Sequence, residues 1–167
     1  MRYVTPHFLI LALAALQGVL ALAQGEFPPI QGGGGLTVDG RLLAFRPTEG
    51  VAGPPQGGLK VKVLRLKGTF QNPKGEALAF ELQFTEGGQI YRMNLFRKVG
   101  DREVERWAAT MKTQVKVVEL QGRVGGTVRL KLAGPLSGVV NGVGKQTSWE
   151  GELWYTLQSW PENAPHR

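Results

Sequence analysis

The chain has 167 residues, of which 24 are glycine and 10 are proline, and its formal net charge is +7 at neutral pH. It contains no cysteine, which excludes disulfides, thiolate nucleophiles and thiolate metal sites. Its two histidines, His7 and His166, lie near the two ends of the chain, so a serine protease triad and a histidine zinc site inside a folded domain are excluded as well.

Residues 1–23 have the layout of a secretory signal peptide. Arg2 supplies positive charge, an apolar run follows, and Ala21-Leu22-Ala23 fits the small-residue rule for cleavage before Gln24. The alternative is an uncleaved membrane anchor, but a spanning helix needs about 20 successive apolar residues and Gln17-Gly18 interrupts this run. The segment therefore predicts export, and we expect the mature protein in the bacterial periplasm or outside the cell.

Residues 24–58 are rich in glycine and proline, which favour flexible or irregular backbone. We expect a flexible arm over 24–35 and a long loop over 47–58. Between them, Asp39-Gly40 is a favourable hairpin dipeptide. It predicts a short hairpin between two segments, 36–38 and 41–45.

Residues 59–160 alternate apolar and polar side chains, the pattern of half-buried strands in a single β domain. In the first run, 59–70, the phase slips at Val63-Leu64, which predicts a β-bulge. Turn residues separate the later runs, which lie at 77–84, 90–96, 113–120, 127–132 and 149–158. Residues 161–167 are predicted to form a C-terminal tail.

The segment 101–112 fits two structures. Val104, Trp107, Ala108 and Met111 have helical spacing after a potential N-cap at Asp101. The same segment also forms a strand with Trp107, Ala109 and Met111 inward. We favour the strand, because the segment continues without a breaker into the run at 113–120.

The predicted fold is therefore all-β. About seven or eight strands joined by short hairpins form an antiparallel meander, which curls into a small barrel or splits into a two-sheet sandwich.

The stretch "GVVNGVGKQT", residues 138–147, is similar in composition to a phosphate-binding loop. The spacing is wrong, because five residues instead of four separate Gly138 from Gly144, and Gln146 stands where the hydroxyl residue belongs. A strand follows instead of the helix whose N-terminus would help to hold the phosphate. We interpret Asn141-Gly142 as a hairpin turn and Gly134-Pro135 as the break that ends the preceding strand. No nucleotide or other cofactor and no metal is predicted.

Basic residues on outward strand faces are candidates for binding a polyanion such as an anionic envelope glycan or lipid. Nucleic acid is disfavoured, because no aromatic side chains are interleaved with them. Trp154 is a candidate contact for a glycan or lipid, although burial against the domain is the favoured alternative. The candidate cations are Lys60, Lys62, Arg65, Lys67, Arg129 and Lys131.

Two carboxylate pairs resemble the paired acids of glycoside hydrolysis in spacing only. Glu150 and Glu152 lie two apart on a predicted strand and share one face. A catalytic pair converges across a cleft, so a solvated strand face is favoured here, and the same holds for Glu103 and Glu105. No catalytic residue is predicted.

The sequence thus predicts an exported, non-enzymatic domain of the bacterial cell envelope that acts in binding or scaffolding, with polyanionic envelope components as candidate ligands. One alternative is a small β-barrel that carries an apolar ligand such as a lipid or quinone, and it requires an internal cavity of several hundred Å³. The other is a carbohydrate-active β-sandwich enzyme, which requires two facing carboxylates.

Overall fold

The computed structural model describes residues 27–53 and 61–161. The predicted signal peptide, Lys60, most of the predicted tail and parts of the predicted arm and loop lie outside these residues. Among the described residues, no helix has the length and apolar character needed to cross a membrane. The chain order is β1 (Gly32–Val38), β2 (Arg41–Gly53), β3 (Val63–Gln71), β4 (Ala77–Thr85), β5 (Ile90–Val99), β6 (Arg102–Ala109), β7 (Gln114–Leu120), β8 (Thr127–Val140) and β9 (Val143–Thr156).

Eight of these strands form a closed antiparallel barrel, which confirms the all-β prediction and selects the barrel over the sandwich. Each strand from β1 to β5 pairs with its successor, and β8 pairs with β9. Two non-local ladders close the ring, since β1 pairs with β9 and β6 pairs with β8. The ninth strand, β7, adds to the sheet by pairing with β8.

β6 and β7 lie in line along one edge of β8. β8 is 14 residues long and pairs with β9 over its whole length on the other edge. Its 136–140 part pairs with β6, and its 128–133 part pairs with β7. β6 and β7 are therefore two pieces of one interrupted strand, separated by a turn over 110–113.

The predicted break at Gly134-Pro135 is wrong, because β8 continues through it and changes partner there. Proline disturbs a sheet least where no ladder hydrogen bond is needed, and Pro135 faces the turn between β6 and β7. The Thr113 hydroxyl donates to the Pro135 carbonyl oxygen at 2.5 Å. The turn thus provides a hydrogen-bond donor for the proline carbonyl at the point where β8 changes its partner from β7 to β6.

The barrel interior is filled with apolar side chains. The alternating faces predicted for the runs at 77–84, 127–132 and 149–158 are buried as expected. Four aromatic rings pack in series along the interior, in tilted and edge-to-face arrangements with successive centroids 5.0 to 6.2 Å apart: Phe45, Phe70, Phe80 and Trp149. The largest fully buried side chains are Trp107, Trp149, Tyr155, Phe70 and Phe84.

The predicted hairpin around Asp39-Gly40 is present and is longer than expected. β1 and β2 extend into 32–35 and 47–53, which the composition assigned to an arm and a loop. Tertiary pairing with β9 and β3 outweighs the backbone entropy of these glycines and prolines. Both strands are part of the barrel wall.

The predicted bulge at Val63-Leu64 is wrong. β3 begins at Val63, and its register with β4 is regular from there to Gln71. The phase slip arises because the residues before Val63 precede the strand. The bulge on this side of the barrel lies in β2, between Pro47 and Glu49.

The strand favoured for 101–112 is confirmed over Arg102–Ala109. Trp107 is fully buried as predicted, and Ala109 is half-buried against the core. The inward placement of Met111 is wrong, because this residue lies in the turn after β6 and its side chain is completely exposed. The alternation of inward and outward side chains ends with β6 at Ala109, so it does not extend to Met111.

Candidate functional site

The candidate cations of the β3 region share one carboxylate. Arg65 and Lys67 lie on the outer face of β3, and both form ion pairs with Glu49, with Lys67 Nζ 3.2 Å from a Glu49 oxygen. Lys62 precedes the strand and stacks over the Trp160 ring at 4.3 Å. Two strand cations therefore face one anion, which leaves an excess of positive charge here.

The candidate cations of β8 each have their own carboxylate. Arg129 lies 3.6 Å from Glu119 on β7, and Lys131 lies 2.8 Å from Glu152 on β9. The hydrogen bond and the charge of Glu152 raise the pKa of Lys131, and Lys131 in turn lowers the pKa of Glu152. Three strands separate β3 from β8 in the sheet, so the structure does not bring the five described candidate cations into one surface.

Trp154 lies on the outer face of β9 and is 37% exposed. It stands between Gly33 on β1 and Arg129 on β8. A Cβ placed on Gly33 would lie 3.5 Å from the Trp154 indole nitrogen, so the indole covers the glycine backbone. The side chain is partly covered and still presents a surface to solvent.

The two carboxylate pairs have different environments. Glu150 and Glu152 are both exposed on the outer face of β9, and they do not converge across a cleft. Glu103 is exposed, whereas Glu105 is 2% exposed, because a register shift opposite Arg97/Lys98 puts these two residues on opposite faces of β6. The sequence pattern missed this burial, since it contains no signal for the shift.

Glu105 lies at the centre of a charged cluster at one end of the barrel. Its carboxylate accepts hydrogen bonds from Arg41, from Arg97 Nε at 3.3 Å and from the Trp107 indole N–H at 2.7 Å. Burial raises its pKa, but the hydrogen bonds and charges of Arg41, Trp107 and Arg97 outweigh burial, and its pKa lies below the ordinary value of 4.5. The cluster fixes three strands to one another and closes this end.

The other end of the barrel is covered by the segment after β9. The backbone of Gln158 and Ser159 hydrogen-bonds to Gly50 and Ala52 on β2, at 2.7 and 3.1 Å. Tyr155 lies fully buried below this segment, and burial raises the pKa of its hydroxyl. Both ends are thus closed over an interior already filled with side chains.

A lateral groove opens in the barrel wall where β5 and β7 do not pair. β5 pairs with β6 from Asn94 onward, so the segment 90–93 has no strand on that side among the described residues. Across the gap, β7 pairs only with β8 in the same part of the chain. The groove has a volume of about 1080 Å³ and is bounded by the β4–β5 turn, the start of β5, the end of β6 and the start of β7.

The floor of the lateral groove is apolar and belongs to the core. Met93 is 4% exposed and Val115 is 7% exposed, while Ile90 and Val117 are half-buried and pack against the core. Core side chains therefore form the bottom of a surface depression.

The rim of the lateral groove combines exposed apolar and charged side chains. Tyr91 is 43% exposed and the Met111 side chain is completely exposed. The charged members are Arg92, Lys116 and Glu86. Beyond Met1, the chain has only the methionines Met93 and Met111, and both line this groove. These two methionines are the one signal of the groove in the sequence, and two methionines by themselves do not identify a binding site.

The glycine-rich stretch 138–147 is the predicted hairpin. β8 ends at Val140 and β9 begins at Val143. Asn141 and Gly142 have φ values of 51° and 82°, the left-handed pair of a tight two-residue turn. No strand–loop–helix context for a phosphate is present in this part of the structure.

The described residues contain no group of three or more histidines, aspartates and glutamates that could hold a metal ion. Comparisons with protein-family models, curated proteins and solved structures find no match to this chain.

Proposed function

We propose that this chain is an exported, non-enzymatic domain of the cell envelope that acts by binding, and that the lateral groove is its binding surface. The observation that carries the proposal is the apolar floor of the groove. Core side chains such as Met93 and Val115 reach a concave surface where the barrel wall lacks a strand. Concave apolar surfaces with a few polar groups at the rim are typical of binding sites.

The lateral groove is a better candidate binding site than the barrel interior. A carrier that encloses its ligand needs a continuous internal cavity, whereas this interior is filled by large aromatic and aliphatic side chains. A ligand of this barrel is therefore expected to bind from the side.

The exposed positions of Glu150 and Glu152 give no support to carbohydrate hydrolysis. Both lie on the convex outer face, where they cannot act on opposite sides of a glycosidic bond. The adjacent Lys131 lowers the pKa of Glu152, which is the opposite of what a general acid needs. Binding is the proposal that the arrangement of side chains supports.

Site-specific photo-crosslinking in the native envelope tests this proposal. The variants Tyr91→benzoylphenylalanine and Met111→benzoylphenylalanine carry a photoreactive ring at the rim of the groove. Leu42 is 68% exposed on β2 and provides the matched control, Leu42→benzoylphenylalanine. We expect both rim variants to crosslink to the same molecule, whatever its chemical class, and we expect the control variant to form no adduct. Adducts from the control alone, or from none of the three, would contradict the proposal.

A further inference from the structure

We infer that the lateral groove binds an anionic amphiphile, a molecule with an alkyl chain and an acidic head group. The inference rests on the proposed function, and it adds the chemical class of the ligand. It follows from the apolar floor, from the charges at the rim and from the way the strand edges are closed.

The floor suits an alkyl chain. Met93, Val115, Ile90 and Val117 present only apolar atoms from their side chains, and all four pack with the core. Methionine side chains are flexible and polarizable, so they adapt to ligands of different shape. Met111 is completely exposed at the rim and is free to fold over a bound chain.

The rim favours an acidic head group over a basic one. Lys116 is exposed on the β7 side, and no carboxylate of the described residues forms an ion pair with it. Among the described residues, the one carboxylate that forms an ion pair with Arg92 on the β5 side is that of Glu81, at 3.9 Å. The single acidic residue of the lining is Glu86, so the cations exceed the anions around the opening.

The strand edges do not suit an added peptide strand. The unpaired part of β5 spans only 90–93. At its end the β4–β5 turn touches β7, since a Cβ on Gly88 would lie 2.1 Å from the Val115 carbonyl oxygen. An extended peptide would have to displace this contact before it could pair with β7. A compact head group with a single alkyl chain fits the groove without such a change.

Calorimetric titration of the purified protein tests the inference with three probes of equal chain length: laurate, dodecanol and dodecylamine. We expect laurate to bind most tightly and dodecylamine most weakly. Shortening the acid to decanoate should weaken binding by about fourfold for each methylene group that the groove buries. Equal affinity for laurate and dodecylamine would contradict the assignment of an acidic head group.

Lys116→Glu should weaken laurate binding by about fivefold, in line with the energy of an exposed ion pair, and should leave dodecanol binding unchanged. Lys74→Glu makes the same change of charge in the β3–β4 turn, at the opposite end of β4, and should change neither affinity. Both residues are exposed, so the folds are expected to be intact. Equal effects of the two variants on laurate would overturn the role of the rim.

A spin-labelled fatty acid locates the bound chain. It should broaden the NMR signals of Met111 and Val117 more than that of Leu42, and preferential broadening at Leu42 would refute binding in the groove. If none of the probes binds while the rim crosslinker captures another molecule, the ligand class is wrong and the proposed function stands. If neither experiment finds a ligand in the groove, both fail.

Discussion

Glu105 is an almost fully buried carboxylate whose partners come from three strands. Arg41 lies on β2, Arg97 on β5 and Trp107 on β6. A buried charge is tolerated when it is paired and its remaining lone pairs are hydrogen-bonded. Removal of the carboxylate leaves Arg41 without its ion-pair partner and leaves Arg97 with only the carboxylate of Glu76, at 3.8 Å. It also takes the acceptor away from the buried indole N–H.

Glu105→Gln should lower the free energy of unfolding by roughly 3 kcal/mol, the low end for breaking a buried ion pair, because both arginines are partly exposed. It should also change the pH dependence. The folded-state pKa of Glu105 lies below 4.5, so below that pH the unfolded chain binds more protons, and stability is lost as the pH falls through the folded-state pKa. The variant should lose less stability on acidification than the unaltered protein does.

Urea denaturation at a series of pH values measures both effects. Glu152→Gln removes an exposed carboxylate whose pKa is also lowered, by Lys131, and it should have a much smaller effect at neutral pH. If the two variants were equally stable at neutral pH, burial of Glu105 would not matter to the fold.

Single residues were predictable from sequence where alternation is regular. The inward faces of β4, β8 and β9 follow directly from period-two patterns. Glu105 and Met111 were not predictable, because each depends on where a ladder slips or ends. Bulges and strand ends are set by tertiary pairing, which leaves little trace in local composition.

At the level of elements, the ladder between β6 and β8 closes the barrel. Gly138 on β8 lies opposite Trp107 on β6, and the indole ring occupies the space that a side chain on Gly138 would need. A Cβ on Gly138 would lie 2.5 Å from the Trp107 ring and 2.1 Å from the Arg106 carbonyl oxygen. Closure thus depends on a close approach between a glycine and a large core side chain.

Gly138→Ala should destabilise the protein by about 1–3 kcal/mol, because the added methyl group overpacks this contact. Gly144→Ala on β9 is the matched control, since a Cβ there meets nothing within 4 Å, and its effect should stay within about 0.5 kcal/mol. Thermal or urea unfolding measures both. A neutral result for Gly138→Ala would show that the β6–β8 ladder shifts easily.

In the whole molecule, positive charge is distributed unevenly over the outer surface. On β3, Arg65 and Lys67 share Glu49, whereas on β8 each candidate cation has its own carboxylate. A cation that already has its own carboxylate partner contributes less free energy to the binding of a polyanion. We therefore propose the β3 region, rather than β8, as the surface for polyanion binding.

The double variant Arg65→Gln/Lys67→Gln should weaken binding to anionic lipid vesicles by about fivefold, since the two cations exceed their shared carboxylate by one positive charge and one such charge near an anionic surface is worth about 1 kcal/mol. It should also flatten the dependence of binding on salt. Arg129→Gln/Lys131→Gln makes the same change in total charge and should have less effect. Vesicle sedimentation at low and high salt compares them, and equal losses would mean that only the net charge matters.

The architecture as a whole was only partly predictable. Sequential hairpins follow from turn dipeptides such as Asp39-Gly40 and Asn141-Gly142, and they yield the meander. Closure was not predictable, because β1 with β9 and β6 with β8 pair across long stretches of chain. The lateral groove is a consequence of this closure, since it lies where the pairing partner of β8 changes from β6 to β7.

The pairing of the first strand with the last also constrains the order of folding. Because β1 pairs with β9, a chain that emerges from its amino end must keep one edge of β1 unpaired until all the other described strands have appeared. Such an edge invites association with other chains. The glycines at 32–35 give β1 few apolar side chains that could drive this association. The residues whose composition predicts a flexible arm therefore also lower the risk of aggregation before β1 pairs with β9.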